Sequence, residues 1–559
     1  MFRFISRSNY LYLFIIAALS LFMLSCSTES DRGTGVLNSV APDTEVKWTL
    51  MFYLAGNSPD DIDYSGISRT ISTMTTLEDM AANSQEVQIL VCFSSQETNG
   101  NARIYRVTPR PYDATEQFSS ELLADFGRAD MSSADVLRNF VEFSVLNYPS
   151  QKQMLLIQGD ANGWFGACRD VINGDHTQMG ITEIRDVLLD ITEGHLDETI
   201  DLLVWSAPEM ATLEVMMEFA HVADYMIASP WNRVPNLSKM MSTWYYDLLS
   251  NPEMDGEELG TRMIDAIRQY AAIWGSPLIQ DDLGEDFDAS ILSLINLFDL
   301  AEATRLAASF QEFSTELQSL WQAHPETVAE IRFQAWDEET DDSNHVDLSV
   351  FADLLLAEQS VIDDGQLLAV SENLRSAIDD AIVMRARGTA DNERLGLMIY
   401  YPQEADTETL AEYHHLEVAE VSPAWADFIS ALIASTGERV DFTGNVHWAG
   451  VDLTEQELYF FVNTNRVGAP HNILRSRVSI EDGSGIEIVD YRALFALQDI
   501  DSVECYVGIF ADLDGSQTLS SGDRYGYYDQ TGGNLRTWIT IHRGDVFENA
   551  NVNLWTTFN

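Results

Sequence analysis

Trp48-Thr49-Leu50-Met51-Phe52-Tyr53-Leu54, closed by Ala55-Gly56-Asn57, is the stretch that decides the fold. It is almost free of polar residues and ends in a turn-forming triplet, so it reads as a strand buried on both faces. The same texture returns at residues 87–93, 153–158, 200–205 and 225–228, with a more polar strand at 103–107. Helical patterns lie between them at 67–82, 133–146, 182–191 and 213–222. Thr182 is the expected N-cap of the third, with Glu183 in its first turn. Buried strands alternating with helices predict an α/β protein with a parallel sheet covered on both faces. In such sheets ligands and reacting groups sit beyond the carboxyl ends of strands. Residues 158–168 and 206–211 are therefore the segments to inspect.

Further along, residues 236–435 read mainly as amphipathic helices, at 257–274, 290–321, 346–356 and 367–384, with a strand-like insert at 396–402. From about residue 440 the pattern changes to short alternating runs separated by turns. Residues 440–559 are thus expected to form a small β-sandwich domain. Within it, Asp512, Asp514, Ser516, Thr518, Ser520 and Asp523 fall at the ligand positions of a calcium-type loop, Thr518 through its backbone carbonyl. Gln517 stands where a sharp turn favours Gly, and Asp523 is shorter than a bidentate Glu. The spacing points to a structural Ca2+; a solvated acidic turn is the competing reading. No cofactor for catalysis is implied.

At the other end, Arg3 and Arg7 precede an apolar stretch at 10–24. That stretch is short of the roughly 20 residues a membrane span needs and suits the h-region of an export signal. Met23-Leu24-Ser25-Cys26 is similar to a bacterial lipobox, with Met23 where Leu is more usual. The expectation is that residues 1–25 are a signal peptide and that Cys26 carries the lipid. Residues 26–45, rich in Ser, Thr, Gly and Asp, then serve as a flexible tether. The partner so implied is a membrane reached through the lipid, at the outer membrane or cell surface of a bacterial envelope.

Composition narrows the partners. A formal net charge of −58 argues against nucleic acid, whose phosphates need neutralising by Lys and Arg. The only lysines are Lys47, Lys152 and Lys239. An acid-rich, lysine-poor surface of this kind suits high salt. Beyond Cys26 the cysteines are Cys92, Cys168 and Cys505, which match no zinc spacing and give no disulfide framework. Cys92, inside an apolar strand, reads as a buried inert thiol.

The order and spacing of several short pieces resemble the clostripain family of cysteine peptidases. They include Trp48 to Ala55, Ala102-Arg103-Ile104-Tyr105, Leu155-Leu156-Ile157, Gly163-Trp164, Ile181-Thr182-Glu183-Ile184, Leu213-Glu214-Val215 and Val346-Asp347-Leu348. The likeness covers roughly residues 46–430 and implies a caspase-like α/β fold, with 46–235 as the core and 236–435 as its helical continuation. It also implies a His in a His-Gly-x-Gly-Trp pattern after one strand and a nucleophilic Cys in Asp-Ala-Cys after the next. Here the matching stretches are Asp160-Ala161-Asn162-Gly163-Trp164 and Ser206-Ala207-Pro208. Asp160 stands in place of the His, Pro208 in place of the Cys and Ser206 in place of the Asp. Thiol catalysis needs a sulfur within reach of a base, so peptidase chemistry by the family mechanism is not expected. The expected role is that of a cell-envelope binding or structural protein, the binding role calling for a peptide or protein partner in the remaining cleft. The alternative is a relocated catalytic pair, Cys168 with His176.

Overall fold

The computed structural model describes residues 45–61, 68–112, 117–173, 178–230, 241–274, 295–323, 328, 331, 344–357, 365–386, 395–402 and 407–435. In the C-terminal part it describes 440–448, 457–463, 474–477, 479–483, 488–495, 502–512, 524–528, 539–542, 546–547, 550–554 and 556–557. Cys26, His176 and the calcium-loop residues Asp514, Ser516, Thr518, Ser520 and Asp523 lie outside the described residues. Asp512 closes the strand Ser502–Asp512.

The decisive run becomes β1 (Val46–Gly56). It is followed by β2 (Val87–Ser95), β3 (Asn101–Arg106), β4 (Glu121–Arg128), β5 (Ser150–Gln158), β6 (Ile200–Ser206) and β7 (Ala223–Ala228). The later strands of this part are β8 (Ile295–Asp299), β9 (His345–Asp347), β10 (Ile382–Ala386) and β11 (Met398–Tyr400). Nine of them form one sheet in the order β10-β8-β7-β6-β5-β1-β2-β3-β4. Its centre, β2-β1-β5-β6-β7, is parallel. Antiparallel strands extend it at both ends, β3 and β4 beyond β2, β8 and β10 beyond β7. β9 and β11 pair separately as an antiparallel ribbon.

Side-chain alternation along each strand builds two cores, one on each face of the sheet. Trp48, Leu50, Phe52 and Leu54 pack with Met74, Leu77 and the helices Met241–Ser250 and Gly256–Trp274. Met51, Tyr53 and Ala55 face the other core. There they meet α2 (Ala134–Asn147), α3 (Ile181–Ile191) and α4 (Leu213–Glu218), with the helices of the 303–435 region; α1 (Arg69–Met80) lies on the opposite face. Burying a large apolar side chain is worth about 1.5–3 kcal/mol, which is why the central strands carry so few polar residues.

The structure departs from the sequence-based expectation in five places, one of them at 346–356, where Val346 and Asp347 belong to β9 and the helix starts at Leu348. Residues 290–321 are not one helix: Ile295–Asp299 is β8, and a helix starts only at Ala303. Likewise the helix Gly365–Ala381 ends before β10. In β8, Ile295 and Leu297 point into one core and Phe298 into the other. Two-faced burial beside β7 thus overrides the helical periodicity of its surroundings. The edge strand β4 was not expected at all. Finally, α3 begins at Ile181 with Gly180 as its N-cap, and Gly180 N donates to the Glu183 carboxylate at 3.0 Å. Thr182 sits inside the first turn.

The C-terminal strands form two sheets, as expected for a sandwich. Phe442 and Val446 from one sheet pack against Phe460, Val507 and Ile509 from the other. Among the described residues, no helix is long and apolar enough to cross a membrane.

Candidate functional site

From β1 the chain passes to β2 on one side, while β5 pairs with β1 on the other. Strand order therefore reverses between β1 and β5, and the crevice beyond their carboxyl ends is where such sheets place ligands. The turn after β1, the end of β2 and the loops after β5 and β6 surround it.

The β1–β2 side of this crevice carries a buried hydrogen-bond network, in which Asn57 Oδ1 has no hydrogen-bond partner among the described residues. Asn57 Nδ2 donates to Ser94 Oγ at 3.0 Å and to the Asp170 carboxylate at 2.7 Å. Asp170 is fully buried and accepts as well from the backbone N–H groups of Met131, Ile172 and Asn173 at 3.0, 2.8 and 2.9 Å. Four donors supply what a buried carboxylate needs. Asp61 accepts from Thr70 N at 2.9 Å, from Thr70 Oγ1 at 3.0 Å and from the Ser68 hydroxyl. Burial pushes its carboxyl up to about 6, outweighing those hydrogen bonds. Among the described residues, no three His, Cys, Asp or Glu side chains converge as metal ligands.

The loop after β5 carries Asp160, Cys168 and Arg169. Arg169 Nε pairs with the Asp160 carboxylate at 2.5 Å, and Ser58 Oγ donates to the same oxygen at 3.2 Å. Cys168 lies between these partners in the left-handed region at φ +62°, fully buried against Gly159. A Cβ added at Gly159 would stand 3.1 Å from Cys168 Cα and 3.3 Å from its Sγ. Burial pushes the Cys168 thiol well above its ordinary range, and the neighbouring Asp160 charge pushes it further. A nucleophilic cysteine needs the opposite environment, exposed and electropositive. Cys168 packs against Gly159 at 0% exposure.

The loop after β6 begins at Ser206, the last residue of the strand. Ala207 is buried, Pro208 is half-buried, and Glu209 turns the chain at φ +60°. Pro208 supplies neither a nucleophile nor a backbone N–H. The loop after β5 is turned as tightly, by Gly163 at φ +52° and Gly166 at φ +143°. At Gly166 a Cβ would meet Met179 O at 2.3 Å, so only glycine fits.

The two loops touch at Gly163, and here the structure adds residues that sequence reasoning missed. A Cβ at Gly163 would meet Glu209 O at 3.3 Å, His345 Nε2 at 3.5 Å and Thr212 Cγ2 at 3.6 Å. His345 lies on β9, opposite Tyr400 of β11, with their rings 5.6 Å apart. Glu214, in the first turn of α4, is fully buried. Its Oε1 accepts from Tyr400 N at 2.9 Å and Tyr413 Oη at 2.8 Å. Burial raises the Glu214 carboxyl above its ordinary range, and the nearby His345 imidazole offsets part of this. Trp164 closes the cluster, stacked on Phe165 at 4.1 Å and edge-on to Tyr400 and Tyr413 at 5.1 and 5.3 Å. The available signal was an acid inside the apolar run 213–219.

The clostripain family profile matches residues 71–436. The chain belongs to the clostripain family. Among solved structures, this clostripain-family chain is similar to a secreted cysteine protease from Bacteroides thetaiotaomicron in complex with an irreversible peptide inhibitor. Identity is 15%, over 67% of this chain and 99% of that one, with a TM-score of 0.47. It is also similar to an inactive protease zymogen from Parabacteroides distasonis, at 15% identity over 68% and 99% of the two chains and a TM-score of 0.49. A comparison with curated proteins finds no match. The β-sandwich lies beyond the residues matched to the family.

Proposed function

We propose that this chain is an exported, lipid-anchored envelope protein whose clostripain scaffold performs no peptidase chemistry and serves as a binding or structural body. The observation that carries this reading is Pro208 at the turn after β6, where the family resemblance places the nucleophile. Asp160, where it places the general base, is in turn engaged by Arg169. A proline cannot attack a carbonyl, and an acid already paired with an arginine is a poor proton acceptor. The tight backbone turns around the crevice remain, so a shaped surface persists without its reacting groups.

The burial of Cys168 weighs against a relocated Cys168–His176 pair. The anchor is Cys26, reached through a lipobox-like signal, and the charge of −58 turns the body away from nucleic acid. The partner in this reading is a peptide or protein. Ca2+ is its structural ion, held at Asp512, Asp514, Ser516, Thr518, Ser520 and Asp523 in the sandwich.

The test is turnover of fluorogenic peptides with basic and with neutral P1 residues by the purified chain, alongside binding of uncleavable versions. No turnover with measurable binding is the expected result. Turnover that persists in the Cys168→Ala variant would reveal other chemistry, and turnover lost in that variant would favour the relocated pair.

A further inference from the structure

The loop after β5 does not end at the crevice. Beyond Arg169 it runs on across the ends of β1 and β2 to the far end of β4, pinned along the way. Asp170 is held by Asn57 Nδ2 and Met131 N. Asn173 Nδ2 donates to Gly100 O at 2.7 Å and to Ala129 O at 3.0 Å. Because β3 is antiparallel to both β2 and β4, β4 runs in the direction of β2. It therefore ends, at Arg128, on the same pole of the sheet as the crevice. Asn173 lies four residues on from Arg169, a reach of at most about 14 Å.

Arg128 is fastened to this loop. Its Nε donates to Asn173 Oδ1 at 3.0 Å and its Nη2 to Ile172 O at 3.2 Å, both neutral acceptors. Those two groups form one edge of the planar guanidinium. Nη1 makes no hydrogen bond among the described residues, and the side chain is exposed. At the preceding Gly127, φ is +64° and an added Cβ would meet nothing within 4 Å, so the backbone here borders open space. The chain has 89 acidic residues for 31 Lys and Arg, and most of the described arginines sit in an ion pair. Arg128 has no acid partner among the described residues. The nearby acids are committed elsewhere. Asp125 accepts from Arg103 Nε and Gly127 N, both at 2.8 Å. Asp130 accepts from Ser132 N at 2.8 Å and Ser132 Oγ at 2.6 Å, and Asp170 is buried among its four donors.

We infer that Arg128 anchors a carboxylate of the partner, so that the binding surface extends from the crevice along the loop after β5 to β4 and selects acidic peptide segments. The inference rests on the peptide- or protein-binding reading of the crevice. A guanidinium offers its remaining edge to a carboxylate as two parallel charge-assisted hydrogen bonds, stronger than neutral ones. Asn173 and Ile172 already fix the plane of that fork, so little further ordering accompanies binding. Arg169 is neutralised by Asp160 and adds less to the selection.

The overall charge of the chain does not prevent this. At physiological salt the Debye length is about 8 Å, so a carboxylate at Arg128 responds to the groups around it and little to the distant surface. Asp and Glu side chains and a peptide C-terminus all supply the required group.

The experiment is fluorescence anisotropy of the full chain with labelled decapeptide pools at about 0.15 M NaCl. The pools share one randomised background and carry Glu, Gln or Lys at two fixed positions, each with a free or an amidated C-terminus. The Glu pool is expected to bind about tenfold tighter than the Gln pool. Arg128→Gln should bring the Glu pool down to the Gln pool and leave the Gln pool unchanged. Arg128→Glu should reverse the order and favour the Lys pool. An arginine that only fastens the loop to β4 does not produce that reversal, because its loss weakens all pools alike. A gain from the free C-terminus that disappears in Arg128→Gln would identify the terminal carboxylate as the group bound. Equal affinity for the three pools would overturn the inference and leave the crevice reading standing. So would a Glu preference that survives Arg128→Gln or Arg128→Glu. Binding of no pool would overturn both. Should Arg128→Gln fail to fold, the wild-type order of the pools and the Arg128→Glu reversal decide.

Discussion

Two acids, Asp160 and Glu214, lie on either side of the loop after β5, and their environments are opposite. Asp160 and Arg169 sit at the lip, with side chains 12% and 38% exposed. Glu214 and His345 sit behind the loop, within an aromatic cluster and away from water. Solvent can take over the partners of Asp160 if Arg169 is removed, but it cannot reach the partners of Glu214. The lip pair should therefore tolerate change and Glu214 should not. Asp61 falls between them: a buried acid held by hydroxyl and amide donors rather than by a base.

The largest effect is expected at Glu214. Glu214→Ala strands the buried donors Tyr400 N and Tyr413 Oη, and should cost about 3–5 kcal/mol in urea unfolding. A cost below about 1 kcal/mol would erase the contrast with the lip. Asp61 comes next. Its carboxyl is raised from 3.8 to about 6, so its stabilising contribution is complete below the unfolded value and is lost as pH rises through 6. That amounts to about 3 kcal/mol between pH 4 and 8, which Asp61→Asn should remove from the stability–pH curve. A third and smaller effect is expected for Gly163→Ala. A left-handed φ and three close neighbours should cost about 1–2 kcal/mol, with increased exchange in both loops. Smallest are Asp160→Asn and Arg169→Gln, each expected to change stability by less than about 1 kcal/mol and to matter less in high salt. A larger loss at the lip would mean that this pair, too, is sealed from solvent.

The legibility of these features in the sequence tracks how local their signals are. β1, β2, β5, β6 and β7 were readable because burial on both faces writes a continuous apolar run. β8 and β10 were not, because Ile295–Asp299 and Ile382–Ala386 are short and adjoin strongly helical segments. β4 is an edge strand with an exposed Leu122, so it lacks the apolar run that marked its neighbours. At the site, Asp160 and Pro208 could be placed because each lies just beyond a strong strand. The contacts of Glu214 with Tyr400 and Tyr413 could not, since only the fold brings segments so distant in sequence together. Cys168 is the opposite case: nearness in sequence to His176 suggests chemistry, whereas the side chain itself is buried against Gly159.

The central claim is that this clostripain scaffold has lost its nucleophile, and intact-mass analysis after exposure to a thiol-reactive peptidyl-arginine probe tests it most directly. The account predicts no adduct on the native chain at neutral pH, with Cys92, Cys168 and Cys505 labelled by small thiol reagents only after unfolding. A stoichiometric adduct on the native protein, abolished by Cys168→Ala, would contradict it.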